Sequence, residues 1–206
     1  MLYRLISPEE ADSIVSELKT LPWTQGRART QEITGTVKNN LEVERCEISS
    51  RLSRKLGETV LFLPQIQKDW IPNKLSGIRF SCYKDGASYD RHTDSPMMGE
   101  VRTDLACTVF LTDDYEGGEL CIDGKEYKGK KGECVVYSCG LPHWVNPVTK
   151  GERICGFTWI QSYIPDPKKR EIVKAVHKLC FELESNRKLF VDCGQIHGDL
   201  MRMWMQ

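Results

Sequence analysis

The feature that most constrains the fold is a series of short strand-like runs in the second half of the chain. Runs rich in β-branched, aliphatic and aromatic residues cover positions 75–83, 105–111, 119–122, 133–137 and 153–164. They are separated by turn-forming pairs, namely Asp85-Gly86, Gly117-Gly118, Asp123-Gly124 and Lys131-Gly132. Many short strands with this spacing favour an antiparallel sandwich or a jelly roll.

Helical patterns precede and follow this β-rich part. Ser7-Pro8-Glu9-Glu10 combines an N-cap, a proline at the first helical position and a capping-box glutamate. Apolar residues then recur at helical spacing, which predicts a helix over 8–21. A second helix is expected over 47–61, and helical periodicity returns after Pro165-Asp166-Pro167 and again over 200–204.

The whole pattern predicts one domain that spans residues 1–206. We expect helical support and a loop in 1–74, a jelly-roll core in 75–165 and helices packed around it in 166–206. The fold class is therefore α+β with a mainly β core, of the double-stranded β-helix or cupin-like type. Residues 25–40 are polar and rich in glycine and threonine, which is typical of a mobile loop or of short strands over a site.

Charge and hydropathy exclude several classes of partner. The 29 basic and 29 acidic residues give a formal net charge of zero, so the total predicts no affinity for nucleic acid or for an anionic membrane. The chain starts without the apolar run of a signal peptide, and it has no apolar stretch of about 18 residues. We expect a cytoplasmic protein, monomeric or homodimeric, that acts on a peptide, a protein or a small molecule.

The nine cysteines form no C-x-x-C pair that would indicate structural zinc or a redox dithiol. Cys107, Cys134 and Cys155 lie within the strand-like runs, where cysteine packs as a small apolar residue. We therefore predict reduced and mostly buried thiols.

Two of the four histidines lie in the β-rich part and suggest a metal site. His92 is followed two residues later by Asp94, and residues i and i+2 of a strand project to the same face. His143 could supply a third ligand from a facing strand. Sites with two histidines and one carboxylate leave coordination positions open and are typical of non-haem Fe(II) that activates dioxygen. H-x-D also occurs often by chance.

Arg153 is a second candidate for a functional residue. Period-2 alternation places it on one strand face with Cys155, Phe157 and Trp159, and this is the face that a barrel interior would use. A guanidinium cannot lose its proton, so a buried one needs an anionic partner, and its fork fits a carboxylate. That partner could be a ligand or a buried Asp or Glu of the chain itself.

Several spaced motifs together resemble those of prolyl 4-hydroxylase-type 2-oxoglutarate and Fe(II)-dependent dioxygenases. Within that superfamily the likeness is to the PKHD-type hydroxylases of bacteria and phages. It covers about Tyr83 to Trp204. The motifs are Tyr83-x-x-Gly86-x-x-Tyr89-x-x-His92-x-Asp94, Arg102-Thr103-Asp104-Leu105, Gly117-Gly118-Glu119-Leu120, His143 followed ten residues later by Arg153, and His197-Gly198-Asp199-Leu200.

The resemblance implies that His92, Asp94 and His143 bind iron and form the catalytic centre. It also implies that Arg153 binds the C5 carboxylate of 2-oxoglutarate, with help from the Tyr83 hydroxyl.

By the same resemblance, Thr108 adds a hydroxyl at that end of the cosubstrate, and Tyr89 and Trp159 line the pocket. Either aromatic could equally be a plain core residue. The implied cofactors are Fe(II), 2-oxoglutarate, dioxygen and ascorbate as reductant. Substrate is expected over a mouth framed by residues 25–40 and 95–101.

The implied reaction is hydroxylation of an unactivated C–H bond, with 2-oxoglutarate converted to succinate and CO2. A prolyl residue in a peptide or protein is the substrate class that the resemblance suggests, although free amino acids or small metabolites fit the residues as well. Other readings are a zinc-dependent hydrolase on the same triad, a metal-binding jelly roll without turnover, and a thiol enzyme built on Cys139 and His143.

Overall fold

A computed structural model describes residues 2–26, 35 and 37–206. The helices in these residues are α1 (Pro8–Leu18), α2 (Glu47–Phe62), α3 (Pro64–Trp70), α4 (Pro167–Glu182) and α5 (Arg187–Trp204). The strands are β1 (Leu2–Arg4), β2 (Trp23–Gln25), β3 (Leu41–Val43), β4 (Pro72–Leu75), β5 (Arg79–Tyr83), β6 (Tyr89–His92), β7 (Met97–Met98), β8 (Val101–Arg102), β9 (Leu105–Phe110), β10 (Glu116–Gly117), β11 (Leu120–Ile122), β12 (Lys125–Tyr127), β13 (Glu133–Ser138), β14 (His143–Val145), β15 (Val148–Lys150) and β16 (Arg153–Ser162).

Two antiparallel sheets form the β core. The major sheet has eight strands in the order β1-β13-β9-β16-β5-β3-β2, with β4 paired to the distal part of β16. The minor sheet has four strands in the order β12-β11-β14-β6, and two short ribbons, β10-β15 and β7-β8, complete the fold. This arrangement confirms the predicted jelly roll with helices around it.

Alternation along the strands divides the core into two layers. In β9, Leu105, Cys107 and Val109 pack with the helices on the outer face of the major sheet. Ala106 and Phe110 point the other way, into a cluster shared with the minor sheet. The space between the sheets is therefore lined by one face of each, and the candidate site lies there.

The first helix confirms the predicted capping box. The Glu10 N–H donates to the Ser7 hydroxyl at 3.2 Å, and the Ser7 N–H donates to the Glu10 carboxylate at 3.1 Å. The helix ends at Leu18 rather than at residue 21. The reason is Pro22, because the residue before a proline is disfavoured in helical conformation.

Other boundaries differ from the sequence prediction for physical reasons. The run 75–83 is broken between β4 and β5, where Gly77 has a φ of +86°. The helix predicted over 200–204 is the last turn of α5, which starts much earlier behind the N-cap Asn186. The short α3 was not predicted, although Pro64 stands at its first turn.

The sheet also reaches beyond the predicted core of 75–165. Strands β1 to β4 come from the segment expected to supply helices and a loop, and β1 pairs with β13 from Leu2↔Val135 to Arg4↔Glu133. Part of the segment 25–40 lies outside the described residues. Its described C-terminal part joins the core, since Lys38 forms a bridge with Tyr89.

All nine cysteines are free thiols, and eight of them are buried, as predicted. Cys46 is half-buried and acts as the N-cap of α2. Among the described helices, none combines the length and the apolar character needed to cross a membrane.

Candidate active site

The pairing of two strands in the minor sheet brings the two histidines together. Strand β6 ends at His92, strand β14 begins at His143, and these residues stand opposite each other in the antiparallel register. Their ring centroids are 4.2 Å apart. Directly opposed residues of an antiparallel pair have closely spaced side chains, so the register alone supplies two imidazoles to one point.

Asp94 completes the cluster from beyond the strand. It was predicted to share a strand face with His92, but β6 ends at His92 and Asp94 lies in the following loop. Its backbone N–H donates to the carbonyl of Cys139 at 3.4 Å. One donor atom from each of His92, Asp94 and His143 lies within 4.8 Å of the others, a spacing that can hold a metal ion.

Backbone carbonyls set the tautomer of both histidines. Nδ1 of His92 lies 2.7 Å from the carbonyl of Asp90, and Nδ1 of His143 lies 3.0 Å from the carbonyl of Leu141. A carbonyl oxygen only accepts, so each Nδ1 carries the proton and donates it. In a neutral imidazole this tautomer leaves the lone pair on Nε2, which is the arrangement that metal-binding histidines require.

The electrostatics of the cluster favour a cation. Burial, with a further contribution from nearby His143, lowers the pKa of His92 to about 4, so its imidazole is neutral at pH 7. Asp94 Oδ2 is buried and has no hydrogen-bond partner among the described residues, and it lies 3.6 Å from Nε2 of His143. A buried carboxylate oxygen without a donor is costly unless it binds a cation.

A second register in the major sheet places Arg153 opposite Tyr83. Strand β16 begins at Arg153 and pairs with β5, so that the guanidinium lies 5.1 Å from the Tyr83 ring centroid. Arg153 is only 1% exposed, and its Nη1 donates to the Cys155 sulfur at 3.0 Å. Nε and Nη2 have no partner in the part of the chain that the structure describes. No Asp or Glu of the described residues forms an ion pair with Arg153, so the predicted carboxylate partner is not supplied by this part of the chain.

The surroundings of Gly118 explain why the Gly117-Gly118 motif needs a glycine at its second position. Its φ is +66°, and a Cβ at this position would lie 2.7 Å from the Val148 side chain and 3.0 Å from Cδ of Arg153. A side chain here would therefore push on the stem of the arginine as well as strain the backbone.

The remaining predicted residues line the same cavity of about 250 Å³ between the two sheets. Tyr83, Thr108 and Trp159 come from the major sheet, and Tyr89 stacks on His92 with ring centroids 3.8 Å apart. Burial is the main cause that raises the pKa of the Tyr83 phenol, which therefore stays neutral and can donate a hydrogen bond.

Three further residues at this cavity were missed by the sequence analysis. Tyr137 packs edge-on against His143 with ring centroids 5.1 Å apart, and the inward alternation of β13 could have indicated it. Lys38 and Arg79 also line the cavity. The alternation of β5 places Arg79 on the same strand face as Tyr83 and could have indicated it, whereas no local signal identifies Lys38.

The thiol-enzyme reading does not fit the site. Cys139 is buried, and this burial, followed by the charge of Asp94, raises the pKa of its thiol. A thiol held in its protonated form is a poor nucleophile.

The other two histidines, His177 and His197, lie on α4 and α5 with ring centroids 5.1 Å apart, away from the cavity.

The fold and the family match define the class of protein. A prolyl-4-hydroxylase from Pseudomonas putida has the same fold, with a TM-score of 0.52 and 17% identity over 79% of this chain and 91% of that one. Residues 78–161 match the family described as the 2OG-Fe(II) oxygenase superfamily. That segment contains the two histidines, Asp94, Tyr83 and Arg153.

Two curated relatives define the family more closely. A PKHD-type hydroxylase of Picosynechococcus sp. is 31% identical over 98% of this chain and 97% of the relative. A second, from Gloeothece citriformis, is 33% identical over 98% of this chain and 97% of the relative. The chain therefore belongs to the PKHD-type hydroxylases, which confirms the resemblance seen in the sequence motifs. It is a 2-oxoglutarate and Fe(II)-dependent hydroxylase of the prolyl 4-hydroxylase-like kind.

Proposed function

We propose that the chain hydroxylates an unactivated C–H bond of a prolyl residue in a peptide or protein, with Fe(II) held by His92, Asp94 and His143. The observation that carries this assignment is that one cavity holds two buried charged groups of opposite sign, Asp94 and Arg153. At one end a buried carboxylate oxygen lies beside two imidazoles, and at the other end is a buried guanidinium with two nitrogens that have no partner among the described residues.

The metal end fits a divalent ion by the chemistry of its donors. Two Nε2 lone pairs and one carboxylate oxygen form the two-histidine, one-carboxylate set that suits Fe(II) and leaves positions for other ligands. A cation would partner Asp94 Oδ2 and offset the desolvation of this carboxylate. Bound there, Fe(II) would activate dioxygen, which is the oxidant, with 2-oxoglutarate as co-reductant; one oxygen atom would enter the substrate and the other succinate, as CO2 is released.

The guanidinium end fits the distal carboxylate of 2-oxoglutarate. Arg153 offers Nε and Nη2, the two adjacent donors that match a carboxylate in a bidentate pair. The neutral phenol of Tyr83 and the hydroxyl of Thr108 line the same cavity, and both can donate a hydrogen bond to this carboxylate. These three residues orient the cosubstrate, so its other end is directed at the metal ligands.

The walls keep water from the reacting groups. Tyr89 stacks on His92, Tyr137 packs against His143, and Trp159 lies on the major-sheet side of the cavity. Aromatic walls hold the imidazoles in position and lower the local dielectric, which strengthens the pairing of Arg153 with its ligand. We infer that ascorbate serves as reductant, and that the protein works in the cytoplasm without a nucleic-acid or membrane partner.

The assay is succinate release from 2-oxoglutarate under air, with anaerobic spectroscopy beside it. The anaerobic protein with Fe(II) and 2-oxoglutarate should show a weak visible charge-transfer band, and aerobic turnover on a peptide should add 16 Da to the substrate. Tight binding of zinc with no such band, and hydrolysis in place of succinate release, would instead support the hydrolase reading, in which Arg153 has no task.

A further inference from the structure

Two cations that the metal and cosubstrate sites do not use lie on the wall of the cavity. Lys38 and Arg79 both line it, and both contact Glu42. Lys38 Nζ binds one carboxylate oxygen of Glu42 and Arg79 Nη2 binds the other. Glu42 itself does not line the cavity. The cluster thus presents a net positive charge to the cavity, with its single carboxylate behind.

The position of this cluster points to the substrate. Lys38 is 7% exposed, and its Nζ lies 5.2 Å from the ring centroid of Tyr89, the residue that stacks on His92. Lys38 and Arg79 also lie on the same aromatic ring, each 5.6 Å from the centroid of Phe157. A lysine this deeply buried carries a desolvation cost, and one shared carboxylate offsets only part of the charge of two cations.

A second, larger depression continues from the cavity. It has a volume of about 920 Å³ and shares Arg79, Met98 and Trp159 with the cavity wall. We call it the basic groove, because Arg45 and Arg54 line it together with Arg79, against the single carboxylate of Glu58. Arg45 and Arg54 have no ion-pair partner in the described ranges. The rest of the lining consists of the serines Ser49, Ser50, Ser53 and Ser76 and of apolar residues, among them Leu61, Leu75 and Phe80.

We propose that the substrate is a peptide segment with a carboxylate side chain close to the hydroxylated residue, and that Lys38 and Arg79 bind this carboxylate. The inference rests on the proposed function, since it identifies which peptides enter the same cavity. The cavity accommodates the cosubstrate and one target side chain, and the basic groove receives the flanking residues. Cations on the path from the groove to the metal ligands select acidic flanks and repel basic ones.

The test compares peptides that differ in one charge. A positional library of proline-containing peptides carries Glu or the isosteric Gln within three residues of the proline, and hydroxylation is read as succinate release and a 16 Da gain. We expect the best Glu peptide to exceed its Gln counterpart about tenfold in kcat/KM at low salt. That ratio should shrink as ionic strength rises, because partly exposed Arg79 is screened.

A charge-matched pair of variants locates the effect. Arg79→Gln should reduce the Glu-to-Gln ratio at least threefold, whereas Lys74→Gln, an exposed cation of β4 outside both lining sets, should leave the ratio unchanged. Arg54→Gln provides a second variant in the basic groove that does not touch the buried cluster.

The outcomes separate this inference from the proposed function. Equal rates with Glu and Gln peptides, or equal effects of Arg79→Gln and Lys74→Gln, overturn the inference. So does release of succinate by the enzyme alone with no acidic peptide hydroxylated, an outcome that leaves the cosubstrate chemistry standing. Absence of any succinate from 2-oxoglutarate, with or without peptide, overturns the proposed function itself.

Discussion

Arg153→Met separates a ligand-binding arginine from a structural one. The side chain is 1% exposed, and two of its three nitrogens lack partners within the described part of the chain. Methionine fills similar space without the charge. If the guanidinium of Arg153 binds the carboxylate of 2-oxoglutarate, the variant should lose cosubstrate binding and keep its fold.

The magnitude follows from the two unpartnered nitrogens. Each charge-assisted hydrogen bond contributes about 1.5–3 kcal/mol, so losing a bidentate pair should weaken 2-oxoglutarate binding by at least about 3 kcal/mol. This corresponds to an increase of roughly 150-fold in the KM for 2-oxoglutarate. In the absence of cosubstrate the free energy of unfolding should stay equal or rise, because a buried charge without an anion is removed.

Arg170 provides the matched control. It is also buried, at 4% exposure, but its Nη1 donates to the carbonyls of Ile164 and Pro165, both at 2.7 Å. Arg170→Met leaves these carbonyls without their donor and should lower the free energy of unfolding by about 1–3 kcal/mol. It should leave the KM for 2-oxoglutarate unchanged.

The assay combines urea unfolding of the metal-free proteins with succinate release over a range of 2-oxoglutarate concentrations. The reasoning is refuted if Arg153→Met is destabilised as strongly as Arg170→Met and keeps the wild-type KM. Arg153 would then be part of the scaffold. Arg153→Lys keeps the charge but not the fork, so an intermediate KM is expected.

Three further predictions concern the same cavity. His143→Ala should abolish succinate formation with unchanged circular dichroism, while His177→Ala, whose ring lies away from the cavity, should keep it; loss in both variants would contradict the assignment. In the metal-free protein the pKa of His92 is about 4 against about 6.5 when unfolded, so the unfolded chain binds more protons between these values. The free energy of unfolding should therefore fall as pH drops from about 6.5 to 4, by up to about 3 kcal/mol, and urea titrations of His92→Gln should lack this slope. Gly118→Ala should raise the KM for 2-oxoglutarate more than about tenfold, since an added Cβ would press on Cδ of Arg153, and an unaltered KM would show that the arginine does not depend on this contact.

Local rules account for much of the fold. The capping box at Ser7 and Glu10 forms as predicted because it depends only on neighbouring residues. Strand β16 follows the predicted alternation, so that Arg153, Cys155 and Trp159 all line the cavity. The failures have long-range causes, as in β1, which becomes a strand only because β13 offers it an edge.

The candidate site shows the same division. His92, Asp94, His143 and Arg153 could be named from their motifs, since donor chemistry belongs to the residue type. That these residues come together in space could not be predicted. Period-2 alternation assigns a residue to a strand face, but the residue opposite it depends on the register of the two strands. His92 faces His143, and Arg153 faces Tyr83, across strands that are far apart in the chain.

Two features of this protein depend on the tertiary structure alone. The alternation of residues 153–159 predicts a buried guanidinium, but whether an Asp or Glu of the chain neutralises it depends on what the opposing strands bring near. Among the described residues, the Cys155 sulfur is the only hydrogen-bond acceptor found for this guanidinium. The pairing of Lys38 and Arg79 through Glu42 has no sequence signature, since the segment that holds Lys38 and Glu42 meets Arg79 only through the pairing of β3 with β5. Sequence periodicity specifies strands, caps and inward faces, while the balance of buried charge is set by contacts between distant segments.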